Sequence, residues 1–237
     1  MKALIFAAGK GTRLKPFTDH HPKALAKVNG VPLLELNIRY LQNAGINDFV
    51  INIHHFGEQI TDFLQSHQNF GSNIEISDEK EELLETGGGL VFARHFLDQK
   101  EDFIIMNADI LTDLDMKKFL NYHQNNKNFV TLAVSERTSS RKLLFDEEMT
   151  LKGWMNTQTG EQRLAEFNKG FKPLAFSGIH CINPEIFNKI KRTGKFSIME
   201  EYLDLMLTET IKGYEHEALI VDVGRPSSIL EAEEHFK

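Results

Sequence analysis

Two glycines, two cations and two acids in this chain have the types and spacing to act on phosphate. Gly9-Lys10-Gly11-Thr12-Arg13 follows directly on the apolar run Ala3 to Ala8, and Pro22-Lys23 comes ten residues after Arg13. Glycines let backbone N–H groups come close to an anion. Arg13 offers a planar fork for phosphate oxygens, and Lys23 a compact, mobile charge. Two aspartates end apolar runs: Phe103 to Met106 leads through Asn107-Ala108 to Asp109, and Ala218 to Val221 leads to Asp222. Paired carboxylates at strand ends suit a divalent cation beside reacting phosphates. A lone aspartate there is more commonly a turn or helix cap, and Asp113 competes with Asp109 for the role.

Placing these groups together requires a sheet whose carboxyl edge carries them. Strand-like runs at Leu4–Phe6, Phe49–Ile53, Ile74–Ile76, Phe103–Met106 and Phe129–Val134 alternate with helical patterns at Val31–Ala44, Gly57–His67, Leu90–Phe96 and Met116–His123. Such alternation predicts an α/β domain with a mixed, mostly parallel central sheet flanked by helices. From Ser135 the chain turns polar, and residues of about 135–175 read as a β-rich insertion of hairpins laid over the sheet edge on the substrate side. A core strand (Ala175–Ile182), helices at Ile198–Met206 and Pro226–His235, and a last strand at Ala218–Val221 follow. Residues 1–237 form one domain in this reading, with no repeat or linker.

Two familiar phosphate loops fail on spacing. A dinucleotide fingerprint needs glycine where Leu14 stands, and an acid near Asn52; a Walker loop needs glycine where Leu4 stands. The net charge of −7 argues against a nucleic-acid surface, so any phosphate site is local. One cysteine, Cys181, precludes an intrachain disulfide framework. The apolar N-terminal run is too short for a secretory core, and no stretch reaches membrane-span length. A cytoplasmic protein is expected, without membrane partner, its oligomeric state open.

The full loop, Gly9-x-Gly11-Thr12-Arg13-Leu14-x-Pro16-x-Thr18-x-x-x-Pro22-Lys23, resembles the signature of the sugar-1-phosphate nucleotidyltransferases at every specified position. The resemblance implies a single Rossmann-like nucleotidyltransferase domain that binds an NTP and a sugar 1-phosphate, uses Mg²⁺ and releases pyrophosphate. It assigns Arg13 and Lys23 to catalysis and Asp109 and Asp222 to the metal. Ala7, Ala8, Gly9, Gly11 and Thr12 fall to the nucleotide, as do Glu85, Thr86 and Gly88 in the segment Leu84-Glu85-Thr86-Gly87-Gly88-Gly89. That segment, with Phe176-Ser177-Gly178-Ile179 and Val221-Asp222-Val223-Gly224, is similar to the N-acetylmuramate-1-phosphate uridylyltransferase branch, which implies UTP as donor.

One departure concerns the acceptor phosphate. Many relatives carry a Glu-Lys-Pro triplet ahead of the Ser177-Gly178 strand, whereas this chain has Glu166-Phe167-Asn168-Lys169 and later Lys172-Pro173. Arg141, Lys142, Lys169 and Lys172 remain candidate cations, with Ser177 and Gly178 beside the sugar. Arg137 and Arg141 flank a Ser139-Ser140 turn able to hold an anion. His54, His55 and Cys181 read as structural. Rival readings are a guanylyl- or thymidylyltransferase for mannose, heptose or glucose 1-phosphate, and a non-catalytic nucleotide-sugar sensor.

Overall fold

The computed structural model describes residues 1–97, 101–166 and 170–236. Strand β1 (Lys2–Phe6) buries Ala3, Leu4 and Ile5 completely. Its apolar residues therefore run on without alternating, as in strands covered on both faces. Asn29 and Gly30, both at positive φ, turn the small hairpin of β2 (Lys27–Val28) and β3 (Val31–Pro32). Helix α1 (Leu33–Asn43) therefore begins two residues after the expected Val31. Then come β4 (Asp48–Ile53), α2 (Gly57–Ser66), β5 (Asn73–Asp78), α3 (Glu85–Phe92) and α4 (Arg94–Leu97). The next elements are β6 (Phe103–Asn107), β7 (Ile110–Thr112), α5 (Met116–Asn126) and β8 (Val130–Ser135). Beyond Ser135 lie β9 (Arg141–Phe145), β10 (Leu151–Asn156), β11 (Gln162–Leu164) and the long β12 (Lys172–Ile182). Helices α6 (Ile186–Lys189) and α7 (Ile198–Leu205), strands β13 (Ile211–Glu215) and β14 (Ile220–Asp222), and helix α8 (Pro226–His235) complete the chain.

The main sheet runs β11-β10-β9-β12-β6-β1-β4-β5, with β8 joining β12 to β13. Its site-bearing half, β6-β1-β4-β5, is wholly parallel, as helical crossovers demand. Strand β12 runs antiparallel and serves two partners: Ile179–Ile182 pair with β6, while Lys172–Leu174 pair with β9. Between them Gly178 takes φ +78°, and the register with β8 shifts between Phe176 and His180. This bulge bends the strand out of the core sheet. The hairpins beyond Ser135 consequently continue the main sheet, rather than lying over its edge.

Alternate residues of the central strands feed two cores. Ile5, Ile51 and Met106 pack under α1, α2 and α5, while Leu4, Val50 and Ile105 pack under α3, α6 and α7. A third cluster joins Leu14, Val28, Leu33, Leu111, Val221, Val223 and Ala232.

Three further sequence expectations change. Gly87, Gly88 and Gly89 lie inside α3, which starts at Glu85, not after the glycines. A Cβ on Gly88 would sit 2.2 Å from the carbonyl oxygen of Gly194, so glycine here allows close packing. Strand β14, which carries Asp222, pairs antiparallel with β7 in a separate two-stranded sheet and does not join the main one. Strand β13 is absent from the elements expected above; its Gly213 is glycine because Phe145 and Met149 fill the space a Cβ would take.

Candidate active site

The carboxyl ends of β1, β4 and β6 open into a cleft of about 370 Å³. Backbone ladders run past the strands to shape it: Ala7 N donates to Asn52 O at 2.9 Å, and Ala108 N to Phe6 O at 3.1 Å. Ala7, Ala8, Gly9, Lys23, Glu85, Thr86 and Asp109 all line this cleft. Nothing lies within 4 Å of a Cβ built on Gly9, so its missing side chain leaves open space beside the backbone. Gly11 differs. Its φ is +58°, and a Cβ there would press on Lys23 Cβ and Thr18 Cγ2 at 2.9 Å. Thr18 Oγ1 also donates to Gly11 O at 2.9 Å. Gly11 and Thr18 thereby seat the Lys23 stem, which is only 9% exposed.

Lys23 Nζ donates to Asp109 Oδ2 and lies 3.9 Å from Asp222 Oδ1. Val223 N donates to Asp109 O at 2.8 Å, tying the two acidic segments together. Arg13 closes the group. A Cβ on Gly224 would lie 2.7 Å from Asp222 Oδ1 and 2.8 Å from Arg13 Nη2. The apolar cluster behind them explains the meeting, because Leu14 packs with the Val221 and Val223 that flank Asp222. Thr12 is exposed on the same loop. Asp113, the rival acid, is engaged elsewhere and accepts from Leu219 N at 2.7 Å.

Three residues unremarked as site supports hold the walls. Asn37 Nδ2 donates to Ala108 O at 2.9 Å, steadying the turn into Asp109. Glu79, buried, accepts from Asn52 Nδ2 and from Leu84 N, both at 2.8 Å, and so ties the Leu84–Thr86 segment to the end of β4. Asn37 was visible as a polar residue on the inward stripe of Leu34, Ile38 and Leu41; Glu79 was hidden in an acidic run. Thr86 Oγ1 accepts from Ile198 N at 3.0 Å, so its hydroxyl helps start α7. Gly88 faces Gly194, and its amide donates to Phe196 O at 3.3 Å, away from the cleft.

The acceptor-side candidates separate. Ser177 is fully buried, with Oγ 3.0 Å from His216 Nε2. Gly178 makes room for Ile110 and the Asn107 amide. Lys172 is held by Glu215 and Glu136, and Arg141 is exposed on β9. Lys142 Nζ donates to Arg137 O at 2.7 Å. Lys169 lies outside the described residues. Burial pushes the Cys181 thiol well above its ordinary value, leaving it an inert core group.

The nucleotidyl transferase family profile matches residues 2–237. The chain belongs to the nucleotidyl transferase family. It is 31% identical over 98% of its length to the N-acetylmuramate alpha-1-phosphate uridylyltransferase of Neisseria meningitidis serogroup B, covering 97% of that protein. It is 28% identical over 97% of its length to the mannose-1-phosphate guanyltransferase of Gibberella zeae, spanning 62% of that longer chain. Among solved structures, HddC of Yersinia pseudotuberculosis in complex with GMP-PN superposes with a TM-score of 0.80 at 24% identity, over 100% of this chain and 99% of that one. This nucleotidyl transferase shares that fold. Among its described residues no helix is long and apolar enough to cross a membrane.

Proposed function

We propose that this nucleotidyl transferase joins a uridylyl group from UTP to N-acetylmuramic acid 1-phosphate, yielding the UDP-sugar and pyrophosphate. The convergence of Arg13, Lys23, Asp109 and Asp222 at one end of a glycine-lined cleft carries the reading. The acceptor phosphate oxygen attacks the α-phosphorus in line, and the bond to the pyrophosphate oxygen breaks. Holding both substrates in one cleft makes the displacement effectively intramolecular. Arg13 and Lys23 bind the donor's phosphate oxygens and stabilise charge on the α-phosphate and leaving group. The open face of Gly9 admits the donor against bare backbone.

Among the described residues no group of three or more metal-ligating side chains exists. Two carboxylates already sharing one lysine ammonium form an oxygen donor set that, with substrate phosphate oxygens, fits Mg²⁺. Bound there, Mg²⁺ supplies charge neutralisation at the reacting phosphates. The uridylyl and muramoyl assignments rest on the 31% identical relative from Neisseria.

Pyrophosphate release measured for each common NTP against a panel of sugar 1-phosphates tests the proposal. The expected maximum in kcat/KM is for UTP with N-acetylmuramic acid 1-phosphate. A maximum at GTP with mannose 1-phosphate overturns the substrate assignment, and no release with any pair overturns transfer itself. Asp109→Asn is expected to lower kcat about 10²–10³-fold; near-full activity in that variant would remove Asp109 from the site.

A further inference from the structure

One arginine near the reacting end has no acid of its own. Arg137 stands in the loop between β8 and β9, half-buried. Its Nη2 donates to Phe176 O at 2.7 Å, just ahead of the bulge at Ser177-Gly178. Its Nε is buried with no hydrogen-bond partner among the described residues, where it makes no ion pair. The acids beside it are engaged or outward: Glu136 and Glu215 hold Lys172, and Glu217 is exposed. The carboxylate whose field Arg137 feels is Asp222. Lys142 Nζ donates to the backbone carbonyl of the same residue, and burial together with the guanidinium's repulsion lowers that lysine's pKa. His216 lies in the field of the same guanidinium, with its Nε2 3.0 Å from Ser177 Oγ.

Leaving the Arg137 Nε buried without a hydrogen-bond partner is unfavourable. Bringing in an anion turns that cost into charge-assisted hydrogen bonds, and the arginine fork matches phosphate or carboxylate. We infer that Arg137, backed by Lys142, holds an anionic group of the acceptor sugar beside Asp222. This rests on the transferase reading above, and it selects Arg137 over the exposed Arg141 and the ion-paired Lys172. The anion is either the 1-phosphate or the lactyl carboxylate of the muramoyl group.

The experiment compares wild type with Arg137→Gln, which keeps a donor for Phe176 O, and Arg137→Lys, which keeps a charge without the fork. Steady-state KM is measured for UTP and, separately, for N-acetylmuramic acid 1-phosphate and N-acetylglucosamine 1-phosphate. Calorimetric titration of both sugar phosphates without NTP runs in parallel. With unchanged melting, Arg137→Gln is expected to raise acceptor KM about 10–100-fold and leave the UTP KM unchanged. Arg137→Lys is expected to fall between, and it carries the test if the glutamine variant does not fold. A rise for both sugars assigns the 1-phosphate; a rise confined to the muramoyl compound assigns its carboxylate. An unchanged acceptor KM, a parallel rise in UTP KM, or the same effect from Arg141→Gln in place of Arg137→Gln overturns the inference. Arg137-dependent binding of a sugar phosphate without pyrophosphate release upholds the inference and sinks the transferase reading. Absence of binding to either sugar phosphate, together with no turnover, overturns both.

Discussion

Gly9 and Gly11 look interchangeable in a string of letters, yet the folded chain uses them oppositely. Space beside Gly9 is open, whereas Gly11 is locked by a positive φ and by Lys23 and Thr18. Gly9→Ala is therefore expected to leave the melting temperature unchanged while raising the KM for the nucleotide about tenfold or more, since the new methyl meets only ligand. Gly11→Ala is expected to lose about 1–3 kcal/mol in a denaturant titration, because alanine is strained in the left-handed region. Equal stabilities for the two variants would contradict this division. That Arg13, Lys23, Asp109 and Asp222 would meet was legible, because few residue types suit phosphate or a divalent cation. The supports Glu79 and Asn52 were not, because a buried carboxylate taking two N–H donors leaves no trace in spacing.

The elements that hold these residues were legible where periodicity reports burial, and obscure where close packing dictates glycine. Strands β1 and β6 announced themselves as unbroken apolar runs, and β4 as one interrupted only by Asn52. Helix α3 did not, since Gly87 and Gly88 are set by the approach of Phe196 and Gly194 rather than by helical propensity. The same limit hid Gly213 in β13. No local pattern tells that β14 leaves the main sheet for β7, because that pairing is settled by the distant cluster around Leu14. Leu14 gives this cluster an experimental handle. Truncation to alanine is expected to cost about 2–5 kcal/mol in unfolding free energy. It is also expected to lower kcat/KM in the still-folded enzyme, by loosening Arg13 from the Asp222–Gly224 segment. Stability loss with full activity would show that the apolar clamp does not place the arginine.

At the scale of the whole molecule, stability carries a proton signature. His180 is fully buried on β12 against the Tyr202 hydroxyl at 2.7 Å, and burial drives its pKa down to about 3 from 6.5. The unfolded chain thus binds a proton that the folded chain refuses. Stability from this group is complete above about pH 6.5 and declines on acidification by about 1.4 kcal/mol per pH unit. Urea titrations across that range are expected to show a slope one proton shallower in His180→Gln; identical slopes would mean that His180 charges in the fold.

The docking of Leu14 against Val221 and Val223 also sets an order in time. The loop at Gly9–Lys23 leaves the ribosome well before its carboxylate and apolar partners on β14. Contacts this far apart in sequence close late, because a long loop must be ordered before they return any stabilisation. A nascent chain that has completed β1, β4 and β6 already owns Lys23 and Asp109, but it has neither Asp222 nor the surface that orients Arg13. The meeting of Arg13 with the Asp222 segment is consequently a later event in synthesis than the meeting of Lys23 with Asp109.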